Sequence, residues 1–263
     1  MSDLIGSVPN LPKLRELESP QVVLVMDKIR RDLDHRSEFE EFCLFAQQYP
    51  RCYRLHLDGA AFRVSTIHKT LNAIHKELSE RVSKAPSNLF EVGVKNKLVN
   101  QLYRDFESYL SEINIALDLL ARVVGAAFKQ QSPPSFNKLC KQKLEHVLLD
   151  QFRTVQRRWV SRLKDYRDCF FHCTPVDYFL AVVMLRYSAG WELQARLPIN
   201  PNVREMLGFR FSRRVDLLRY SIATFKHMIG FDRAVAETIL KLYRGGDFPV
   251  RKDHLFFLGQ RGR

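Results

Sequence analysis

The residues best suited to chemistry lie together in one short segment, Tyr166-Arg167-Asp168-Cys169-Phe170-Phe171-His172. An arginine guanidinium presents a planar fork of donors that fits a phosphate group. A histidine can accept or donate a proton near neutral pH. Asp168 and His172 are four residues apart, so on a helix they share a face, and the carboxylate would orient the imidazole or raise its pKa. We therefore predict that this segment binds a phosphate group and transfers a proton.

The same segment holds residue types that bind metals, namely Cys169, His172 and Cys173. A zinc site needs a fourth ligand and usually a second paired motif, and the chain has no Cys-x-x-Cys pair. We expect no metal and no cofactor. The five cysteines are an odd number, and residues 1–10 lack the features of a secretory signal. These two observations predict reduced thiols and a cytoplasmic location.

The charge of the chain favours a polyanionic partner. There are 42 Lys and Arg residues against 29 Asp and Glu residues, a net charge of +13 with a pI near 9.7. Such a balance is typical of proteins that contact nucleic acid or a nucleotide. Four arginines precede the segment: Arg153, Arg157, Arg158 and Arg162. They are candidates to follow an RNA backbone, and a solvated charged face is an equally good interpretation.

The elements that must position the segment are mainly helical. Apolar residues three and four apart predict two long helices. The first has this pattern at Leu102, Phe106, Tyr109, Ile113, Ala116, Leu120, Val123 and Ala127, and the second at Leu144, Leu148, Phe152, Val155, Trp159, Leu163, Tyr166 and Phe170. We predict a mainly α protein, an antiparallel helical bundle with small β additions.

Shorter elements complete this prediction. Alternating polarity predicts strands at Cys52–Leu57 and Trp191–Ile199, with a turn at residues 200–202. A segment that is apolar nearly all round, Tyr178–Tyr187, predicts a helix in the middle of the bundle. Helices are also predicted at Arg213–Ile229 and Asp232–Tyr243, broken at Gly230. No run of 18 apolar residues is present, so we expect no membrane span.

One polar stripe stands out on the first long helix. Its members are Glu107, Ser111, Asn114 and Asp118, at i, i+4, i+7 and i+11. In a bundle this stripe could line a cleft opposite the Arg/His segment as supporting residues. A solvated helix face is the better interpretation of such a stripe.

The domain organisation is predicted from turn-forming residues between Ser83 and Gly93, which include Pro86, Ser87 and Asn88. Residues 1–95 would form an N-terminal helical region whose role the sequence does not reveal. Residues 96–263 would form the helical domain that carries the Arg/His segment, followed by a basic C-terminal tail.

The Arg167-Asp168-x-x-x-His172 segment resembles the motif of the HEPN family (higher eukaryotes and prokaryotes nucleotide-binding domains). The family motif is Arg, four to six residues and His, with Asn, Asp or His directly after the Arg. Arg-x4-His also occurs at Arg30…His35, Arg51…His56 and Arg63…His68, but there the second residues are Arg31, Cys52 and Val64. The stretch from about Lys95 to Tyr243 resembles the helical layout of the family.

The resemblance implies a mechanism. Catalytic HEPN proteins are metal-independent endoribonucleases that act as homodimers, with one Arg/His motif from each protomer in a shared cleft. Arg167 would stabilise charge on the phosphorane, His172 would transfer a proton, and Asp168 would position either of them. The family also implies a prokaryotic defence or toxin–antitoxin setting, in which an antitoxin or another protein is a partner.

Two other functions remain open, because many HEPN proteins are not nucleases. One is a non-catalytic helical module that binds RNA, a nucleotide or a protein partner. The other is a purely structural helical scaffold, which would show no salt-sensitive RNA binding.

Overall fold

The structure is a computed structural model that describes residues 20–33, 40–84, 91–94, 97–125, 135–173, 182–188, 190–203 and 208–247. The chain is mostly helical with one small antiparallel sheet, which confirms the predicted mainly α class with β additions. The predicted basic tail beyond Asp247 lies outside the described residues. None of the helices in these ranges is long and apolar enough to cross a membrane.

Seven α-helices and two π turns make up the helical part of the described residues. The helices are α1 Gln21–Leu33, α2 Glu40–Ser83, α3 Lys97–Gly125, α4 Phe136–Cys140, α5 Val147–Val155, α6 Ser161–Asp168 and α7 Leu217–Gly245. The first π turn, Gln156–Val160, joins α5 to α6, and the second, Cys169–Cys173, follows α6 directly. Residues 147–173 therefore form one uninterrupted helical segment, as the apolar spacing predicted.

The sheet has four strands in sequence order, β1 Glu91–Gly93, β2 Val182–Tyr187, β3 Gly190–Pro198 and β4 Phe211–Asp216. Each strand pairs antiparallel with the next, and Met184 lies opposite Leu193 in the central pair. The register between β3 and β4 is irregular between Arg196 and Pro198. The predicted strand at 191–199 and the turn after it are confirmed, with the Val203 N–H donating to the Asn200 carbonyl.

Two predicted elements are wrong, because a short pattern of apolar residues indicated the wrong type of secondary structure in each. Cys52–Leu57 is not a strand but part of α2. The helix has a buried face at steps of four and three that runs through this segment: Tyr53, Leu57, Ala60, Val64, Ile67, Leu71 and Ile74. A local alternation of six residues was outweighed by this longer helical period.

Residues 182–187, predicted as the end of an apolar helix, form β2 instead. The strand has neighbours on both sides, and its first four residues are buried, which explains an apolar run without alternation. The start of that predicted helix, residues 178–181, lies outside the described part of the chain.

Helix α7 also differs from the prediction at two points. Residues 213–216 belong to β4, and the helix then continues through Gly230 without a break. Glycine costs a helix interior roughly 1 kcal/mol relative to alanine. Buried residues on either side, among them Met228 and Phe231, outweigh that cost through packing.

Two compact units divide the chain. Among the described residues, those of 59–111 and 162–225 belong to unit 1, and those of 20–58, 112–161 and 226–247 belong to unit 2. Because these units interleave along the sequence, they do not correspond to consecutive domains. The predicted boundary near residue 95 stays a prediction.

Unit 2 holds α1 in place through a buried carboxylate. Asp232 of α7 accepts hydrogen bonds from the Gln21 N–H at 2.6 Å and the Val22 N–H at 3.4 Å, which satisfies free donors at the start of α1. Burial raises the pKa of Asp232 to about 6, against the opposing effect of these hydrogen bonds. Val22, Met26 and Ile29 bury the other side of the helix.

Candidate active site

The Arg/His segment lies at the end of the long helical segment, within unit 1. Arg167 and Asp168 are the last two residues of α6, and position 172 lies in the second π turn. The side chain of His172 is outside the described part of the chain, so its predicted contact with Asp168 stays a prediction. The structure describes the Arg167 guanidinium, the Asp168 carboxylate and the backbone that connects both residues to position 172.

Arg167 and Asp168 contact each other directly. The guanidinium donates from Nε at 2.9 Å and from Nη2 at 2.6 Å, both to Oδ1 of the carboxylate. The two side chains are 33% and 54% exposed, so the pair faces solvent. Arginine has five N–H donors, and this contact uses one edge of the fork. Among the described residues, the Nη1 group makes no hydrogen bond.

The π turn changes the relation between positions 167 and 172. In an α-helix, residues five apart point about 140° away from each other, because each residue advances the chain by about 100°. A π turn closes its hydrogen bonds between residues five apart and so widens the helix locally. The angle around the helix axis between Arg167 and position 172 is therefore smaller than in a regular α-helix. Such turns are frequent at functional sites.

Hydrogen bonds to the end of β3 anchor the helix that carries Arg167. The Tyr166 hydroxyl donates to the Pro198 carbonyl at 2.8 Å, and Arg162 Nη2 donates to the Ile199 carbonyl at 2.7 Å. The irregular pairing at residues 196–198 explains why these carbonyls accept side-chain donors rather than ladder bonds. Burial raises the pKa of Tyr166, so its hydroxyl remains a donor.

An aromatic cluster packs against the other side of the same helix. Phe170 stacks on Tyr103 with ring centres 5.9 Å apart and meets Phe106 edge-on at 5.3 Å. Tyr166 meets Tyr220 of α7 edge-on at 4.8 Å. Tyr103 also donates to the Arg196 carbonyl of β3 at 2.9 Å. Helices α3, α6 and α7 are thus fixed to one another and to the sheet within unit 1.

Two of the four arginines predicted to follow RNA have structural contacts. Arg153 donates to the carbonyls of Cys140, Gln142 and Leu144, which lie at and after the end of α4, and pairs with Asp150 at 3.0 Å. Arg162 donates to Ile199, as described above, and its guanidinium lies 5.1 Å from the Tyr166 ring centre.

Arg157 and Arg158 are different, since both are exposed on the first π turn. Arg157 donates only to a backbone carbonyl of its own helix at 3.4 Å. Among the described residues Arg158 has no ion pair or hydrogen bond. The RNA contact expected of the four arginines stays a prediction, and among them Arg157 and Arg158 are the two with exposed side chains.

The polar stripe on α3 is half-buried, and one of its members has a structural contact. Asp118 accepts the Phe136 N–H at 2.8 Å and so stabilises the start of α4. Partial burial raises the pKa of Glu107, and Arg104 opposes this effect. Asn114 is half-buried. Glu107 belongs to unit 1 and the other two to unit 2, and the supporting role predicted for them stays a prediction.

The Arg-x4-His pairs on α2 differ from the segment on α6. Arg63 Nη1 donates to Asp105 of α3 at 3.0 Å, and this carboxylate is almost completely buried. His68 contacts Asn72 of its own helix at 3.3 Å. Arg63 and His68 therefore have separate partners. In the Arg51…His56 pair, earlier on the same helix, His56 Nδ1 lies 2.6 Å from Glu112 Oε2. The partner His35 of the Arg30 pair is outside the described residues.

Sequence reasoning missed the two π turns, although a signal was present. Apolar residues from Leu102 to Val123 on α3 advance by 4, 3, 4, 3, 4 and 3, whereas those from Leu148 to Phe170 advance by 4, 3, 4, 4, 3 and 4. The second helix therefore has a longer mean step. The repeated fours from Val155 to Leu163 coincide with the first π turn. An extra residue in the apolar period is what a π turn adds to a helix.

No group of three or more His, Cys, Asp or Glu residues in the described ranges is arranged to hold a metal ion. Comparisons with protein-family models, with curated proteins and with solved structures found no match to this chain.

Proposed function

We propose that this chain is a metal-independent endoribonuclease of the HEPN type. The observation that carries the proposal is the position of Arg167 and Asp168 at the start of a π turn that contains position 172. A half-buried guanidinium whose Nη1 group makes no contact among the described residues lies there, on a helix fixed by hydrogen bonds to the end of β3. The net charge of +13 supports a polyanionic substrate.

The proposed reaction is attack of the RNA 2′-hydroxyl on the adjacent phosphorus. The bond between phosphorus and the 2′-oxygen forms, and the bond to the 5′-oxygen of the next nucleotide breaks. His172 takes the proton of the 2′-hydroxyl or delivers one to the leaving 5′-oxygen. Arg167 stabilises the negative charge that develops on the non-bridging oxygens. The products carry a 2′,3′-cyclic phosphate and a 5′-hydroxyl, and hydrolysis of the cyclic phosphate by water gives a 3′-phosphate.

Asp168 has a positioning role in this proposal. Its carboxylate fixes one edge of the Arg167 guanidinium and leaves the remaining donors for the phosphate. A homodimer would bring two such motifs into one cleft, as the family resemblance implies. The same resemblance suggests a prokaryotic defence or toxin–antitoxin setting in the cytoplasm, with a protein partner that restrains or activates the enzyme.

The test is RNA cleavage in excess EDTA, with tRNA and unstructured RNA as substrates and mapping of the product ends. Wild type should leave cyclic-phosphate ends, and DNA should resist because it lacks the 2′-hydroxyl. His172→Ala should cleave at least about 100-fold more slowly, the usual contribution of a general acid or base.

His68→Ala is the matched control, because His68 follows Arg63 at the same spacing but has only an exposed contact with Asn72. It should cleave like wild type. Equal loss in both variants would point to a general folding defect, and equal cleavage by all three proteins would reveal a contaminant. RNA binding without cleavage by any of them would favour the non-catalytic module instead.

A further inference from the structure

The carboxylate of Asp232 joins three helices of unit 2 and is separate from the Arg167 segment. It lies on α7, and its two oxygens accept the backbone N–H groups of Gln21 at 2.6 Å and Val22 at 3.4 Å, at the start of α1. Tyr53 of α2 is fully buried, and its hydroxyl lies beside the same carboxylate. A single buried charge therefore holds the first turn of α1 against two other helices.

Helix α1 depends on this docking more than the longer helices do. It has 13 residues, and an isolated helix of that length is marginal in water. Its packing rests on one buried face, formed by Val22, Val23, Met26 and Ile29, while Leu24 is 47% exposed. A groove of about 530 Å³ between α1 and α2 leaves part of their interface unfilled. Elements with few buried contacts open locally while the rest of a protein stays folded.

Opening of α1 changes the affinity of Asp232 for a proton. In the docked state burial raises the pKa of Asp232 to about 6, and the two backbone N–H groups, the Tyr53 hydroxyl and the charge of Arg233 oppose this effect. Burial also raises the pKa of Tyr53 well above its ordinary range, so this hydroxyl keeps its proton. Once α1 opens, water reaches the carboxylate, and the pKa of Asp232 falls towards its ordinary value of 3.8.

The docked state therefore holds the proton up to a higher pH than the open state does. The protonated carboxyl stabilises the docked state fully below about pH 3.8, and this contribution is lost as the pH rises to about 6. The ionised carboxylate is the better acceptor for the N–H groups of α1. Acid nevertheless favours the docked helix, because the cost of burying the charge exceeds the gain from those hydrogen bonds.

We infer that the docking of α1 in unit 2 is linked to proton binding by Asp232. The helix is held tightly in mildly acidic solution and opens more often at neutral pH, where Tyr53 and the apolar residues beneath α1 become accessible. The inference does not depend on the proposed ribonuclease function, because neither α1 nor Asp232 belongs to the Arg167 segment. A chain without nuclease activity would still show the linkage.

The test is amide hydrogen exchange of the full chain from pH 5 to pH 8, with each rate divided by the intrinsic rate at that pH. The quotient gives the opening equilibrium of each segment. For peptides that cover α1 it should rise about tenfold between pH 5 and pH 8 and level off above about pH 7, because the two pKa values of Asp232 set these limits. Peptides from residues 113–124 of α3, which are mostly buried, should open at least about tenfold less often.

Two variants identify the group that titrates. Asp232→Asn keeps the shape of the side chain and removes the titration, so the opening of α1 should be the same within about twofold at pH 5 and pH 8. Asp27→Asn is the matched control, because Asp27 is exposed on α1 and its replacement changes the net charge equally. This control should keep the full rise. In wild type, the side-chain carboxyl carbon of Asp232 should titrate near pH 6 by NMR.

Four results would each overturn the inference. The first is an opening equilibrium of α1 that stays constant or falls from pH 5 to pH 8 in wild type. The second is the same rise in Asp232→Asn as in wild type, and the third is an NMR midpoint near pH 4 for Asp232. The fourth is equal opening of α1 and α3 at every pH, which would mean that α1 opens only when the whole chain unfolds. If Asp232→Asn does not fold, the exchange profile and the NMR midpoint of wild type still decide.

Discussion

The pairs Arg63…His68 and Arg167…His172 have the same spacing and lie in the same unit. They differ in the partner of the arginine and in the backbone that follows it. Arg63 is in a regular α-helix and donates to Asp105, which is buried. His68 has a separate partner, Asn72. Arg167 pairs with its own neighbour Asp168, whose carboxylate is exposed, and is followed by a π turn that contains position 172.

The difference shows that backbone geometry and carboxylate placement matter more than spacing. The two arginine side chains are about equally exposed, at 35% for Arg63 and 33% for Arg167, so the contrast lies in their carboxylates. A buried carboxylate on another helix ties Arg63 to the packing of α2 against α3. The exposed Asp168 carboxylate restricts the neighbouring Arg167 guanidinium through Nε and Nη2, and the Nη1 donors of Arg167 stay accessible. The π turn then reduces the angle between positions five apart, which a regular helix keeps on different faces.

The largest effect should follow from replacing Arg167. Arg167→Met removes the group that would stabilise the phosphorane, and we expect cleavage to fall by about 100-fold or more. Because the lost ion pair is exposed, the free energy of unfolding should change by less than about 1 kcal/mol. Rate measurements and urea unfolding check both statements. A variant that is strongly destabilised would mean that Arg167 serves the fold.

Replacing Arg63 should have the opposite pattern. Arg63→Met leaves the Asp105 carboxylate buried with only Gln101 as a hydrogen-bond donor, at 3.1 Å. We expect a loss of about 2 kcal/mol in the free energy of unfolding, measured from the urea midpoint. Cleavage by the folded protein should be unchanged. Adding Asp105→Asn should restore part of the stability, and an unchanged midpoint in Arg63→Met would contradict the contrast drawn above.

The smallest effect concerns the arginines that precede the motif. Arg158→Ala removes an exposed group, so the slope of log affinity for single-stranded RNA against log salt should decrease by about 0.7. Arg162→Ala should instead destabilise the chain by about 1 kcal/mol, because Tyr166 and Ile199 lose a donor. Filter binding at several salt concentrations measures the slope for Arg158→Ala, and urea unfolding measures the stability of Arg162→Ala. Equal salt slopes for Arg158→Ala and wild type would exclude an RNA contact at Arg158.

The fold was predictable from sequence where one period extends over a long stretch. Helix α3 and the segment 147–173 were found because their apolar faces repeat over many turns. Strand β2 was missed because a central strand buried on both faces loses its alternation. The break expected at Gly230 did not occur, since buried neighbours hold the helix together.

For the candidate site, the sequence predicted one contact that the structure shows and missed most of the geometry around it. Residue types identified Arg167 and Asp168, and the structure shows them in contact. Nothing local in the sequence indicated that Arg153 and Arg162 donate to carbonyls of α4 and β3, because those contacts join residues distant along the chain or depend on where a helix ends. The π turns left only a lengthened apolar step as their signal.

The central claim is that Arg167 and His172 act together as one site. Its most direct test is a double-mutant cycle on RNA cleavage in EDTA with wild type, Arg167→Met, His172→Ala and the double variant. Residues that act as a unit are not additive, so the double variant should be no slower than the slower single variant. Losses that multiply in the double variant would mean that the two residues act independently, and unchanged cleavage in either single variant would contradict the account outright.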